Sequence, residues 1–274
     1  MRQIPNSIIC YKILTMPYVV AVTAVCPMRS EASHKSEMVS QLLFGEVAEV
    51  LQDAKEFTSI RCLYDGYEGW CAKSQLVEVE NKDAFEAVTY TDMKDGEALF
   101  NNTLISLALA SPIFPNVSFG NWAIMFPVHP LQQGWTQFSV TERIRRMAYQ
   151  YINTPYLWGG KCNFGIDCSG FTQQVFKLVH KPLLRDAYQQ ATQGEALSFL
   201  QEAQCGDLAF FDNDEGRITH VGILLDSSTI IHASGYVRVD KIDNQGIIHS
   251  VTGKRTHKLR IIKRMGDAST VHSQ

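Results

Sequence analysis

PYLWGGKCNFGIDCSGF, residues 155–171, is the stretch on which the fold turns. Its first half is a turn-rich loop in which Gly159, Gly160 and Gly165 allow tight turns and a close approach of the backbone by a substrate. Its second half opens a helix whose Phe171, Val175, Leu178 and Val179 share one face, ending before Lys181-Pro182. Cys168 stands where the loop becomes the helix. There the unpaired N–H groups and the helix dipole favour an anion, so the spacing predicts a thiolate whose own N–H can serve an oxyanion. Asp167 and Ser169 flank it as natural helix caps, and Gly170 lets another element pack on the first turn.

A thiol nucleophile needs a base, and two histidines follow in apolar strand patterns. His220 opens HVGILL and His232 lies in IIHASG, with Asp226-Ser-Ser228 reading as the turn between them. Side chains alternate along a strand, so Ile230, His232 and Ser234 share a face. If both imidazoles face the Cys168 helix, nucleophile, base and orienting group come together. The same three residues could ligate zinc, but a helix start behind a glycine-rich loop suits an oxyanion hole better. Neither a metal nor a cofactor is expected.

Outward from this segment, Val140, Ile144, Met147, Ala148 and Tyr151 recur at helical spacing, with Ser139 or Thr141 as cap. Strands are predicted at Leu208–Phe211, His220–Leu225, Thr229–Ser234 and Leu259–Lys263. Helices followed by antiparallel strands give an α+β domain over residues 139–265. Residues 18–79 read as short strands (Tyr18–Val25, Glu46–Gln52, Thr58–Leu63, Gly69–Ala72) with a turn at Asp65-Gly66, a small β-barrel. Between them, residues 80–138 carry four prolines over 111–130 and an undecided helix or strand at Glu97–Leu109. Such proline density excludes central strands, so an irregular β-rich module or linker is expected.

The net charge of −3, with Lys and Arg scattered, offers no footprint for nucleic acid or an anionic membrane, which favours a small substrate. Seven dispersed cysteines without a CxxC pair read as reduced thiols. No apolar run reaches membrane-spanning length. Met1–Val25 has some features of a signal peptide, which would make the protein exported or periplasmic. Its apolar run is short, Pro17 interrupts it and Val25 is bulky before Cys26, so a leader followed by a first strand is the favoured reading and a cytoplasmic monomer is expected. Met16 is an alternative start.

The motifs PYLWGG, GIDCSGF, RDAYQQ, GDLAFF, THVGI and IIHASGYVR, in this order over residues 139–265, resemble the NlpC-type domain, a papain-like cysteine peptidase of cell-wall peptides. Tyr18 to Val79, through PMRSEASHKSEMVSQLLFGEVAEVL and YDGYEGW, resembles the bacterial SH3-like domains attached to cell-wall enzymes. The resemblance implies Cys168 as nucleophile, His220 as base and His232 as third residue, with Tyr156, Asp167, Ser169 and Arg185 at substrate-facing positions. Trp158 is placed to wall the same pocket as Tyr156.

The pairing of the two domains resembles γ-D-glutamyl-L-diamino acid endopeptidases, in which the barrel lends a carboxylate and a tyrosine to the free amine of an N-terminal L-Ala. Glu31 and Tyr67 match those positions, and an ammonium does favour a carboxylate and an aromatic face. The implied substrate is L-Ala-γ-D-Glu-diamino acid, a recycled stem peptide. An N-acetylmuramoyl-L-alanine amidase or a wall-binding protein acting on intact peptidoglycan is the alternative. The sequence departs from the pattern at Phe57 for Trp, Cys162 for Thr or Ser, and Leu184 for Pro. Cys162 raises the question of an oxidative side reaction with Cys168. The histidines outside the set, His34, His129, His180, His249, His257 and His272, are expected at the surface.

Overall fold

A computed structural model describes residues 18–92, 94–127 and 137–266. The leader through Pro17, with Cys10 and Met16, lies outside these residues, as do His129 and His272. Among the described residues no helix is long and apolar enough to cross a membrane.

The N-terminal part is one antiparallel sheet of seven strands. Its strands are β1 (Tyr18–Ala21), β2 (Val25–Arg29), β3 (Met38–Leu43), β4 (Val47–Asp53), β5 (Phe57–Cys62), β6 (Glu68–Ala72) and β7 (Leu76–Val79). The apolar run from Tyr18 to Val25 is therefore two strands rather than one, broken at Val22–Ala24. Inside the sheet Val19, Ala21, Cys26, Met28, Leu42, Ile60 and Cys71 form the core. Strand β3 is covered on both sides: Leu42 faces that core, while Leu43 packs with Cys162 of the glycine-rich loop and with Ala108.

The proline-rich middle is a four-stranded antiparallel sheet and a two-residue ladder. The sheet holds β9 (Glu97–Phe100), β10 (Thr103–Ser106), β12 (Val117–Phe119) and β13 (Trp122–Met125), and the ladder joins β8 (Thr89–Tyr90) to β11 (Pro112–Ile113). Glu97–Leu109 is thus strand, not helix. Pro112 sits in the short ladder, where a missing N–H costs little. Phe85, Phe114 and Phe126 share one buried cluster with Val20, Phe44 and Val47 of the first sheet. These phenylalanines are the seam between the two β units.

The C-terminal part begins with α1 (Val140–Gln150), capped by Ser139, whose side chain accepts from the Glu142 N–H. The glycine-rich loop pairs β14 (Lys161–Cys162) with β15 (Gly165–Ile166) and leads into α2 (Cys168–Lys177), followed by the short α3 (Ala187–Gln190). The second sheet contains β16 (Glu195–Leu197), β17 (Leu208–Asp212), β18 (Ile218–Leu224), β19 (Thr229–Ser234), β20 (Tyr236–Asp243), β21 (Gly246–Ile248) and β22 (Arg255–Arg264). Pairing of β21 with β22 closes it into a small barrel. Val221, Ile223, Ile231, Ala233 and Val237 pack outward on α1 and α2, whereas Phe211, Leu224, Ile230, Ile242 and Ile247 fill the barrel. His220 and His232 share the parity of Leu224 and Ile230, so they lie on the barrel side of the sheet, not on its helix-facing side.

All three parts meet at Glu46. Its carboxylate, buried, accepts from Lys177 Nζ at 2.5 Å and Lys161 Nζ at 3.4 Å, and also takes the Leu43 N–H at 2.9 Å. Lys177 in turn lies 4.6 Å from the Tyr64 ring and 4.9 Å from the Tyr90 ring. Burial works to raise the carboxyl of Glu46, but the two lysines outweigh it and hold it at about 2. Because the folded value lies below the usual 4.5, this group's contribution to stability is present above pH 4.5 and is lost as pH falls toward 2. Replacing Glu46 with Gln leaves two buried ammonium groups around a neutral side chain. Urea denaturation at neutral pH is expected to show a loss of about 3–5 kcal/mol, with this acid-dependent component missing from the variant.

Candidate active site

The start of α2 is fixed by one carboxylate. Asp167 is its cap: Oδ1 accepts from the Gly170 N–H at 2.6 Å, and Oδ2 accepts from the Gly159 N–H at 2.9 Å. Arg185, itself buried, donates Nη1 to Oδ1 at 3.0 Å and Nη2 to Oδ2 at 2.5 Å. The same guanidinium donates to Ser169 Oγ and, through Nε, to Ser40 Oγ of β3, both at 3.0 Å. Both carboxylate oxygens of Asp167 and the hydroxyl of Ser169 are therefore occupied by protein partners, and Arg185 is a buried anchor.

The glycines make room for the protein's own backbone rather than for a substrate. Gly159 has φ +74°, and a Cβ there would lie 2.4 Å from the Met38 carbonyl oxygen of β3. A Cβ on Gly170 would lie 2.3 Å from the Gly160 carbonyl oxygen, so loop and helix interlock as the sequence suggested.

Cys168 is only 6 % exposed, and its thiol is met by the backbone N–H of Val221, the residue after His220. Burial, and then the Asp167 carboxylate, push this thiol up to about 12, against the pull of the Val221 N–H, Arg185 and the Ser169 N–H. The expected thiolate is thus corrected: desolvation outweighs the helix start, and the resting thiol keeps its proton. His220 is buried too and is held well below its usual range by burial, then by His232, His257 and Arg238. Burial thus works against a charge on either group.

His220 Nε2 lies 2.8 Å from His232 Nδ1, the rings nearly perpendicular. His232 Nε2 lies 3.0 Å from Asp240 Oδ2, and Arg238 Nε donates to that same oxygen at 2.9 Å. His257 is not a plain surface residue: half-buried on β22, it stacks on His220 with centroids 4.2 Å apart, and Phe211 edges both rings. Burial, and then His232 and Arg238, push His257 down to about 4. His34 and His180 are exposed as expected. His249 is half-buried, its Nδ1 accepting from the Val251 and Thr252 N–H groups.

Tyr156 borders the thiol, and its phenol is raised by burial and by Cys168. Trp158, largely exposed, donates Nε1 to Glu37 Oε1 at 2.6 Å, so it leans on the β2–β3 loop of the first barrel. Glu31 lies exposed in that loop, where its backbone carbonyl accepts from Ser36 Oγ and the Ser33 N–H. Tyr67 donates its hydroxyl to Asp186 Oδ1 at 3.4 Å, and Asp65 beside it accepts from Gln173 Nε2 at 2.9 Å. Cys162 lies with Leu43 and Ala108, in a different apolar cluster from Cys168.

Glu37, Asp240 and His257 were not singled out from the sequence. For Glu37 a signal existed, a second glutamate in the same loop six residues after Glu31. For Asp240 and His257 the pairing of β20 and β22 had to be known first.

Residues 153–256 match the NlpC/P60 family, and residues 28–76 match the bacterial dipeptidyl-peptidase Sh3 domain. A γ-D-glutamyl-L-lysine dipeptidyl-peptidase of Bacillus subtilis is 30% identical over 215 residues, 71% of each chain. Dipeptidyl-peptidase 6 of Lysinibacillus sphaericus is 22% identical over 258 residues, 82% of this chain and 92% of that one. The crystal structure of an NlpC/P60 family protein from Bacillus cereus superposes with a TM-score of 0.70 at 16% identity, covering 90% of this chain and 99% of that one. The chain belongs to the NlpC/P60 family. It is a cysteine endopeptidase, a hydrolase of the peptidoglycan peptidase class.

The protonated resting thiol has a direct consequence. Iodoacetamide labelling of Cys168, followed by peptide mass spectrometry, is expected to accelerate about tenfold per pH unit from about pH 7 to about pH 9. A rate already level below neutral pH would instead mark a resting thiolate.

Proposed function

We propose that the enzyme hydrolyses the γ-D-glutamyl–diamino acid bond of peptidoglycan stem peptides that carry a free N-terminal L-Ala. The observation that carries this reading is the placement of first-barrel side chains against the catalytic part: Glu37 against Trp158 of the glycine-rich loop and Tyr67 against Asp186 at the start of α3. A carboxylate and a phenol lent by the first barrel to the catalytic part are groups suited to an ammonium ion. The Bacillus subtilis relative's activity supports the same bond, with the choice between lysine and diaminopimelate left to the test below.

In this mechanism Cys168 Sγ attacks the γ-carbonyl of D-Glu as its proton passes to His220, which His232 orients. The Cys168 N–H, first in its helix, and the Tyr156 hydroxyl receive the oxyanion. His220 returns the proton to the leaving amine, and water then cleaves the thioacyl bond. Asp167 and Ser169 act through the helix start they hold, and Trp158 walls the peptide cleft beside Tyr156. Both loop glutamates are exposed, and Glu37 is the better placed to bind the amine because its carboxylate meets Trp158 of the glycine-rich loop. A requirement for a free amine suits peptides already detached from the wall, and so recycling in the cytoplasm.

Mass spectrometry of products from L-Ala-γ-D-Glu-diaminopimelate, its lysine counterpart and the N-acetylated forms tests this. Cleavage after D-Glu only in the free peptides is expected. Equal cleavage of the acetylated forms would discard the clamp, and no cleavage of any would favour the amidase or wall-binding alternative. Cys168→Ala is expected to abolish turnover. Glu37→Gln is expected to raise KM about 10- to 100-fold, with Glu31→Gln near wild type. The base must be neutral and burial holds His220 down, so the acid limb of kcat/KM is expected below pH 6.5.

A further inference from the structure

The His220–His232 contact leaves a question that distances alone do not answer. Each neutral imidazole carries one hydrogen, and a single hydrogen lies between His220 Nε2 and His232 Nδ1. If His220 donates it, His220 Nδ1 holds a lone pair and can take the Cys168 proton. If His232 donates it, His220 Nδ1 carries a hydrogen and is useless as a base. The contact geometry is the same in both cases.

We infer that Asp240 is a positioning residue that settles this choice: through His232 it sets the tautomer of His220, leaving Nδ1 unprotonated for the thiol. The inference rests on the roles proposed above for Cys168, His220 and His232. Asp240 is fully buried, with Oδ2 facing His232 Nε2 at 3.0 Å and Arg238 Nε at 2.9 Å, and Oδ1 accepting the Ser250 N–H at 2.8 Å. An ionised carboxylate only accepts, so His232 Nε2 donates. His232 Nδ1 is then the acceptor, and His220 Nε2 is the donor. The direction of every hydrogen follows from the one group that has none to give.

The electrostatics agree. Burial works to raise the Asp240 carboxyl, but His232, Ser250 and Arg238 hold it far below the usual carboxylate range. Burial lowers His232 despite Asp240, which keeps that imidazole neutral and the one-hydrogen rule in force. The charged and titratable groups around the chain come from several elements: Arg238 and Asp240 on β20, His257 on β22 and His249 after β21. The strand register places Asp240 opposite Ile230, and so diagonal to His232 on the same barrel-facing side. When His220 accepts the proton, the Sγ–H bond breaks and an Nδ1–H bond forms. The imidazolium still donates Nε2–H to His232, with the Asp240 carboxylate behind it.

Nitrogen-15 NMR of histidine-labelled enzyme reads the tautomers directly. In the wild type, His220 and His232 are both expected as the Nε2–H form at neutral pH. In Asp240→Asn the amide can donate to His232 Nε2, which reverses the chain and moves the His220 hydrogen to Nδ1. Its kcat is expected to fall on the order of 100-fold, short of the roughly 10⁴-fold cost of the wrong tautomer next to a serine nucleophile, with KM changed little. Asp240→Glu is expected to restore the Nε2–H form. An Nδ1–H signal for His220 in active wild-type enzyme would overturn the inference even if no variant folds. So would Asp240→Asn with an unchanged spectrum and full kcat. Retained turnover in Cys168→Ala would instead overturn the mechanism on which the inference rests.

Discussion

The ion pair between Asp167 and Arg185 holds the catalytic end of the molecule together. Burying two charges costs several kcal/mol each unless their hydrogen-bonding capacity is met. Here it is met by the groups whose placement matters. Asp167 takes the N–H groups of the glycine-rich loop and of the first turn of α2, and Arg185 reaches Ser169 and, on β3, Ser40. Loop, nucleophile helix and first barrel are thereby referred to one pair of side chains. An apolar replacement could fill the same volume, but it would not orient three backbone segments against one another.

Beside the apolar packing of Leu43 on Cys162, further contacts between first barrel and catalytic part are built in the same way. Gln41 Oε1 accepts the Lys161 N–H at 2.7 Å, Asp65 meets Gln173, and Glu46 meets Lys161 and Lys177. Buried polar contacts are directional, so the barrel has one seat on the loop, where a greasy interface would tolerate sliding. That matters for the proposed peptide site, which draws on both units. A carboxylate on the β2–β3 loop is useful to a peptide amine only if its distance from Cys168 is constant, and Gly159 lets the loop lie directly against the β3 backbone.

Legibility in the sequence followed locality. The helix start at Cys168 could be read because its loop, cap and helix are contiguous, and the strands carrying His220 and His232 because each is a short apolar run. The α+β order, the helix caps at Ser139 and Asp167 and strand Thr229–Ser234 follow from local chemistry, and the structure has them. What failed to show was set by tertiary pairing. Strand β20 was overlooked because its barrel-facing position is an aspartate, which reads as exposed until β19 is placed beside it. His257 looked like a surface residue for the same reason: only closure of β22 onto β21 and β17 brings it over His220. The thiol's protonation was misjudged because a helix start is visible in sequence and the degree of burial is not.

The sheet divides the chemistry into two compartments. Cys168 belongs to the apolar cluster that packs α1 and α2 on the outer face of the second barrel, while His220, His232 and Asp240 take the inward parity. Strand β18 is the wall between them, and it touches the thiol with the Val221 N–H while carrying the imidazole one residue earlier. A strand offers adjacent residues to opposite faces about 3.3 Å apart along the chain. Cys168 and His220 can then belong to separate sides of the sheet without either core being opened. The arrangement also explains the low basicity of the histidines. Inside a barrel filled by residues such as Phe211, Leu224, Ile230 and Ile247, the cost of a second positive charge beside Arg238 works to keep them neutral, with the Asp240 carboxylate against His232. In the mechanism proposed for Cys168 and His220, a proton passed to His220 would be held only weakly, which is the property needed of a group that must hand it on to a leaving amine.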